Sequence, residues 1–99
     1  MSEEKPYDGK RFTMKGLGGT SQYIIIDTDG IMITFPNNKH KNWNYQATAT
    51  ALTRVISIAL QGGIDIEGIK KQLKESVMQD NDTPHILLKA IKKYENSGE

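Results

Sequence analysis

Two short runs of β-branched and aromatic residues, separated by a turn signal, constrain the fold of this chain more than any other feature. The first run is Tyr23–Asp27 and the second is Ile31–Phe35. Thr28-Asp29-Gly30 between them is typical of a tight turn, and Pro36-Asn37-Asn38 ends the second run. The pattern predicts an antiparallel hairpin, and Arg11–Met14 is a candidate for a further short strand.

The rest of the chain is predicted to form three helices. In the first, apolar residues recur at helical spacing, and we expect them to form its buried stripe. They are Ala47, Ala51, Val55 and Ile58, with Leu52, Ile56 and Leu60 widening the stripe. Gly62-Gly63 is expected to end this helix, because glycine readily closes a helix C-terminus.

The second and third helices have recognisable start signals. Asp65 is placed to cap the second, and Asp82 or Thr83 the third, with Pro84 at its first helical position. The residues expected to face inward are Ile66, Ile69, Leu73 and Val77 in the second helix, and Leu87, Ile91 and Tyr94 in the third. The prediction is an α+β fold in which a small N-terminal antiparallel sheet packs against two or three C-terminal helices.

The length of 99 residues predicts a single domain over residues 1–99, with residues 1–6 and 96–99 disordered. Ile24 and Ile26 should point to one face of their strand and Ile25 to the other, so both faces are apolar. A solvated sheet tolerates this poorly, and we therefore expect a homo-oligomer, from dimer to hexamer.

Composition excludes several classes of function. A net charge of +1 gives no electrostatic case for binding DNA or RNA, which requires many neutralised phosphates. The absence of cysteine excludes disulfides and thiolate chemistry and suits a cytoplasmic protein. No apolar run approaches the roughly 20 residues that a membrane span requires, and we expect no leader and a soluble, intracellular protein.

The most unusual segment is 37–45, which combines amides, cations and two aromatic residues. Trp43, the only tryptophan, could stack on a base, Asn44 could read a base edge, and Lys39 or Lys41 could pair with a phosphate. The alternative is a solvated loop with Trp43 packed over the core. Gly16–Ser21 likewise offers either a phosphate cradle or a flexible hairpin loop.

Two further cationic positions are candidate ligand contacts. Arg54 lies in mid-helix among apolar neighbours, so it either pairs with a carboxylate within the chain or faces a ligand or subunit boundary. Lys71 belongs to a basic helix face that is either solvated or used for binding. Residues 78–84, which include Thr83, open a helix that could accept an anion or could simply be capped.

Catalytic and metal sites are not indicated. His40 and His85 are isolated from other ligands, and no nucleophile–base arrangement or carboxylate pair stands out. We therefore expect no enzymatic activity, no metal and no cofactor.

Four stretches resemble the TSCPD domain, which is found at the tail of B12-dependent ribonucleotide reductases. They are Gly16–Ile26, Ala51–Leu60, Gly63–Lys74 and Pro84–Ile91. The most specific parts are Arg54–Leu60 and Lys71-Gln72-Leu73-Lys74. The resemblance implies cysteines near Gly19, Asn44, Met78 and Thr83, and none is present. If those cysteines bind zinc in relatives, this chain keeps the scaffold without the metal.

In layout and size the chain is also similar to a family of phage-encoded sponges, the first Thoeris anti-defence family. That resemblance implies a non-enzymatic oligomer that sequesters a cyclic ADP-ribose isomer or a cyclic oligonucleotide in the host cytoplasm. The predicted ligand contacts are Lys39, Lys41, Trp43, Asn44, Arg54, Lys71 and Thr83. The alternative is an accessory or regulatory protein associated with ribonucleotide reductase.

Overall fold

The computed structural model describes residues 9–16, 21–27, 30–35 and 43–97. Its elements are the strands β1 (Lys10–Lys15), β2 (Ser21–Asp27) and β3 (Gly30–Thr34), and the helices α1 (Trp43–Gln61), α2 (Ile66–Ser76) and α3 (Thr83–Ser97). The strands form one antiparallel sheet in the order β1-β2-β3. The predicted α+β fold, a small N-terminal sheet with C-terminal helices, is therefore confirmed.

The side chains of the central strand β2 point alternately to the two faces of the sheet. Ile24 and Ile26 are buried on one face, next to their partners Ile33 and Ile31 in β3, which are also buried. Ile25 lies on the opposite face, where it is half-buried. Because side chains alternate along a strand, both faces of β2 carry apolar residues, as predicted. We call the face that bears Ile25 the outer face.

Helix α3 lies against β1 and β2, helix α1 lies against β3, and α2 packs on α3. The residues predicted to face inward in α3 do so, since Leu87 and Ile91 are buried and Tyr94 is half-buried. Leu73 is the buried residue of α2. The helix α3 includes Asn96 and Ser97, which were predicted to be disordered. The other residues of the predicted disordered termini, 1–6 and 98–99, lie outside the described residues.

The predicted buried stripe of α1 is wrong for Ala47, Ala51, Val55 and Ile58, whereas Ile56 is buried and Leu52 and Leu60 are half-buried against the core, as predicted. The residues of α1 that are buried are Ala49, Thr53 and Ile56, whereas Val55 is 64% exposed and Ile58 is 70% exposed. Ala47 and Ala51 are exposed as well. Apolar and small residues occur on every side of this helix, so periodicity alone does not choose the buried side. The contact with β3, described below, makes that choice.

The end of α1 follows its sequence signal. The N–H of Ile64 donates to the Ala59 carbonyl and the N–H of Gly63 donates to the Leu60 carbonyl, both at 3.0 Å. Gly63 has a φ of +95°, a conformation that other residues rarely adopt. This paired arrangement satisfies carbonyl groups that the last helical turn leaves without partners.

Side-chain caps begin α2 and α3. Asp65 accepts a hydrogen bond from the Glu67 N–H at 3.0 Å, as predicted. For α3 the cap is Asp82, whose Oδ1 accepts from the His85 N–H at 3.1 Å. Its Oδ2 also accepts from the N–H groups of Met78 and Gln79, at 2.8 and 3.0 Å. Because Thr83 is the first helical residue, Pro84 occupies the second position and not the first.

Replacing Asp82 with alanine is expected to lower the free energy of unfolding by about 1–2 kcal/mol, since it removes a helix cap. Urea denaturation measures this, with Asp80→Ala as the control because Asp80 is exposed. Burial works to raise the pKa of Asp82, but the N–H donors of Met78, Gln79 and His85 outweigh it and lower that pKa. The stabilisation is therefore complete above about pH 4, the pKa of an unfolded Asp, and is lost as pH falls through the lower folded pKa. Equal acid sensitivity of the wild type and Asp82→Ala would contradict this account.

Candidate ligand-binding groove

Ser57 joins helix α1 to the edge of the sheet by two hydrogen bonds. The Ser57 hydroxyl accepts a hydrogen bond from the Ile31 N–H at 2.9 Å and donates to the Ile31 carbonyl, also at 2.9 Å. Ile31 belongs to the edge strand β3, whose outward backbone groups lack a neighbouring strand. Ser57 therefore takes the place of a strand partner and fixes α1 beside β3.

A groove lies where α1 meets β3 and the outer face of the sheet. Its cavity volume is about 670 Å³, which is within the range of small-molecule sites. Apolar side chains such as Ile25, Met32 and Ile58 contribute to it, together with hydroxyls and two charged residues. The full lining is Ile25, Asp27, Gly30, Ile31, Met32, Ile33, Thr34, Thr50, Thr53, Arg54, Ser57, Ile58 and Gln61. We call this the main groove.

A second, shallower groove runs along the exposed side of α1 and has a cavity volume of about 570 Å³. Its lining is Trp43, Gln46, Ala47, Thr50, Ala51 and Arg54. We call this the side groove. Thr50 and Arg54 line both grooves, so the two grooves meet at these residues and form one continuous surface.

Arg54 lies at this junction with its side chain exposed. Within the part of the chain that the structure describes, its guanidinium forms no hydrogen bond and no ion pair. The interpretation that Arg54 pairs with a carboxylate of its own chain is therefore wrong for the described residues. An exposed guanidinium has five donors in a planar fork, which suits a phosphate or carboxylate supplied from outside.

Trp43 lies on the same side of α1 as Arg54. The two residues are 11 positions apart, close to three helical turns, which corresponds to about 16 Å along the helix axis. Trp43 is the first residue of α1 and is 59% exposed, so the alternative in which it packs over the core is wrong. Trp43 and Arg54, two of the predicted ligand contacts, therefore lie on one surface.

The other predicted contacts lie elsewhere. Asn44 is exposed beside Trp43 but lines neither groove. Lys71 is exposed on α2, and Thr83 is half-buried at the start of α3; neither lines a groove. Lys39 and Lys41 lie outside the described residues, as does the segment 17–20 of the predicted phosphate cradle.

Sequence reasoning missed the groove residues contributed by the sheet and by the middle of α1. Thr50 belongs to no motif, and Ser57 lies within the Arg54–Leu60 block but was given no role; the importance of both depends on the contact with β3. It also missed Gln22, which is fully buried. The Gln22 Nε2 donates to the Tyr45 hydroxyl at 2.8 Å, while its Oε1 has no partner among the described residues. The alternation of Gln22 with Ile24 and Ile26 along β2 was the signal for its burial.

Basic residues of α2 differ in their surroundings. Lys70 donates to both carboxylate oxygens of Glu95 at 2.9 Å and lies 3.0 Å from Glu67. The hydrogen bonds to Glu95 and then to Glu67 raise the pKa of Lys70. Lys70 therefore links α2 to α3, whereas Lys71 and Lys74 are exposed.

Among the residues that the structure describes, no group of three or more His, Asp or Glu side chains is arranged to hold a metal ion. None of the helices within 43–97 is long and apolar enough to cross a membrane.

Comparison with known proteins identifies one family. The model of the TSCPD domain matches residues 2–95 of the 99-residue chain. No curated protein and no solved structure matches. The matched region contains all three strands and almost all of the three helices described above. The chain belongs to the TSCPD domain family.

Proposed function

We propose that the two grooves bind a small nucleotide, which the protein holds and releases chemically unchanged. The observation that carries this proposal is Arg54, an exposed guanidinium without a partner among the described residues, at the junction of the grooves. A phosphate is the natural ligand for such a group. Trp43, at the far end of the side groove, offers a flat surface for a base.

The chemistry of the main groove supports binding without turnover. Asp27 and Arg54 are the charged residues of its lining, and the other polar groups are hydroxyls, amides and backbone. The Arg54 guanidinium offers a planar fork of donors, which suits the binding of an anion. Hydroxyls such as those of Thr50 and Ser57 can hydrogen-bond a sugar or a phosphate without reacting.

The finer form of the proposal is a cytoplasmic sponge that sequesters a cyclic nucleotide immune signal, either a cyclic ADP-ribose isomer or a cyclic oligonucleotide. In this form it is an anti-defence protein of phage origin and acts in the cytoplasm of the host. Its support is the similarity of layout and size to the phage sponges and the pairing of an aromatic with a cation on one surface. Copies would associate so that the ligand is enclosed.

A second candidate is an accessory or regulatory protein associated with ribonucleotide reductase. The family match favours it, because TSCPD domains are known in proteins associated with that enzyme. In that case the exposed face of α1 would dock on a protein, and the grooves would not need to hold a nucleotide.

A thermal-shift screen with cyclic ADP-ribose and with cyclic di- and trinucleotides tests the proposal. A ligand that binds only the folded state at a hundredfold excess over its Kd stabilises that state by about 2.7 kcal/mol. Mass spectrometry of the nucleotide released on heating should return the same molecule that was added. No stabilisation by any of these compounds, together with co-purification of a large enzyme, would favour the second candidate. A changed nucleotide mass would show that the protein converts the nucleotide, and the proposal of binding without turnover would be wrong.

A further inference from the structure

The exposed side of α1 carries unusually little charge. Arg54 is the one charged residue among the 19 residues of this helix. By contrast, the exposed positions of α2 and α3 include residues such as Lys71, Glu75 and Lys92. Helix faces in contact with water are normally rich in charge, whereas the centres of protein interfaces are depleted in charge but enriched in aromatic residues and arginine. The exposed side of α1 has the composition of an interface centre.

The sizes of the side chains on this face match a second copy of the same helix. Ala51 is exposed in the middle of the face, with the small Ala47 four residues before it and the larger Val55 four residues after it. When two α1 helices cross in antiparallel orientation at Ala51, each Ala47 faces the Val55 of the other copy. A two-fold interface requires a patch that complements itself in this way. Small residues at the crossing point also allow the helix axes to approach to about 9–10 Å, which leaves about 4.4–5.4 Å between facing Cα atoms.

The charges permit the same arrangement. Arg54 lies three residues beyond Ala51 in each copy, and the helices run in opposite directions. The two guanidinium-bearing positions are therefore separated by about 9 Å along the axis, at 1.5 Å per residue, and do not face each other. The helix contains no acidic residue, so no carboxylate of α1 is buried by the contact.

The edges of the sheet offer poorer routes to association. At the β3 edge, Ser57 already occupies the outward backbone groups of Ile31. The β1 edge carries Lys10, Arg11 and Lys15, and charged side chains, lysine above all, discourage pairing between sheets. The face of α1 is therefore the surface best suited to contact with another copy.

We propose that two copies associate through antiparallel α1 helices that cross at Ala51, and that each copy completes the main groove of the other. Position 43 of one helix is then level with position 59 of its partner, next to Ile58 at the end of the main groove. A nucleotide phosphate on Arg54 of one copy would have its base beside Trp43 of the second copy. The composite groove rests on the proposed function, whereas the dimer itself does not.

The lack of cysteine in the chain makes a direct test possible. Ala51→Cys places two thiols at the crossing point, within the Cα separation of about 4.4–6.8 Å that a disulfide needs. Mild oxidation is expected to convert most of the protein to a covalent dimer of 22.2 kDa, twice the 11.1 kDa chain. Glu75→Cys, on the exposed surface of α2, is the matched control and should remain monomeric on a non-reducing gel.

Sedimentation measured without nucleotide gives a second readout. The wild type should be dimeric, and Ala51→Glu should be monomeric, because two carboxylates would meet at the crossing point. Since Ala51 is exposed, the circular dichroism spectrum of Ala51→Glu should match that of the wild type. A monomeric wild type, or a dimer that survives Ala51→Glu while Ala51→Cys fails to cross-link, would overturn the proposal.

Mixing two defective variants tests the composite groove. In a mixture of Trp43→Ala and Arg54→Ala, a mixed dimer regains one groove in which both residues are intact. If the copies exchange freely, about a quarter of all grooves recover binding of cyclic ADP-ribose or of a cyclic dinucleotide, measured by calorimetry. No recovery in mixed dimers would place both residues in a groove of one chain. A cross-linked dimer that binds no nucleotide at all would refute the proposed function and leave the dimer standing.

Discussion

Arg54→Ala is expected to weaken the binding of cyclic ADP-ribose or of a cyclic dinucleotide by about 10- to 100-fold in calorimetry. A hydrogen bond to a charged group contributes about 1.5–3 kcal/mol, and each 1.4 kcal/mol corresponds to a factor of ten in Kd. Because Arg54 is exposed and has no partner among the described residues, its removal costs the fold little. The thermal midpoint without nucleotide should therefore stay within the range of ordinary surface substitutions.

Conservative and distant variants give this experiment its controls. Arg54→Lys keeps the charge but loses the planar fork of donors, so an intermediate affinity is expected. Lys71→Ala and Thr83→Ala should bind like the wild type, because neither residue lines a groove. Trp43→Ala should lose a stacking contribution of about 1–3 kcal/mol. If Lys71→Ala weakens binding and Arg54→Ala does not, the site lies on α2 and the groove assignment is wrong.

Local signals were sufficient for most of the fold. The Tyr23–Asp27 and Ile31–Phe35 runs alternate and flank a glycine, and these short-range features produced the β2–β3 hairpin with Asp27 opposite Gly30. Asp65 and Gly63 also act within a few residues of their own positions. Such signals are readable because the interactions that they report close within one turn or one hairpin.

The orientation of α1 could not be read in this way. Apolar side chains occur all around helix α1, so the sequence pattern does not indicate which face is buried. The deciding contact joins Ser57 to Ile31, which are 26 residues apart in the sequence. No periodicity within the helix reports a contact of that kind. The prediction therefore placed Val55 and Ile58 in the core, where they are not, and missed Ala49 and Thr53, while its choice of Ile56 is confirmed.

The same limitation applies to the candidate site. Trp43 and Arg54 were chosen for their chemistry, and their common helix was enough to place them on one surface. The main groove exists only because β3 lies beside α1, so Ile25, Met32 and Ser57 could not be foreseen as its lining. Lys71 and Thr83 were chosen from local features of α2 and α3, which do not contribute to either groove.

The second large effect is expected from Gly30→Ala, which should destabilise the protein by about 1–3 kcal/mol through overpacking. A Cβ at Gly30 would lie 2.6 Å from the Ser57 Oγ and 2.9 Å from the Ser57 Cβ. Rotation of the serine side chain cannot relieve the second contact, because the Cβ is fixed to the helix backbone. Helix α1 would have to move away from β3 and weaken the hydrogen bonds to Ile31.

Gly68→Ala is the matched control, because a Cβ at Gly68 meets nothing within 4 Å. Alanine at this position in the first turn of α2 should raise the stability by at most about 0.5–1 kcal/mol, so the two glycine substitutions have opposite signs. Urea denaturation measures both. Nucleotide affinity should fall in Gly30→Ala, since the main groove lies between the elements that separate, and should be unchanged in Gly68→Ala. A Gly30→Ala protein as stable as the wild type would show that the close contact of Ser57 with β3 does not position α1. The description of the main groove as formed by that contact would then be wrong.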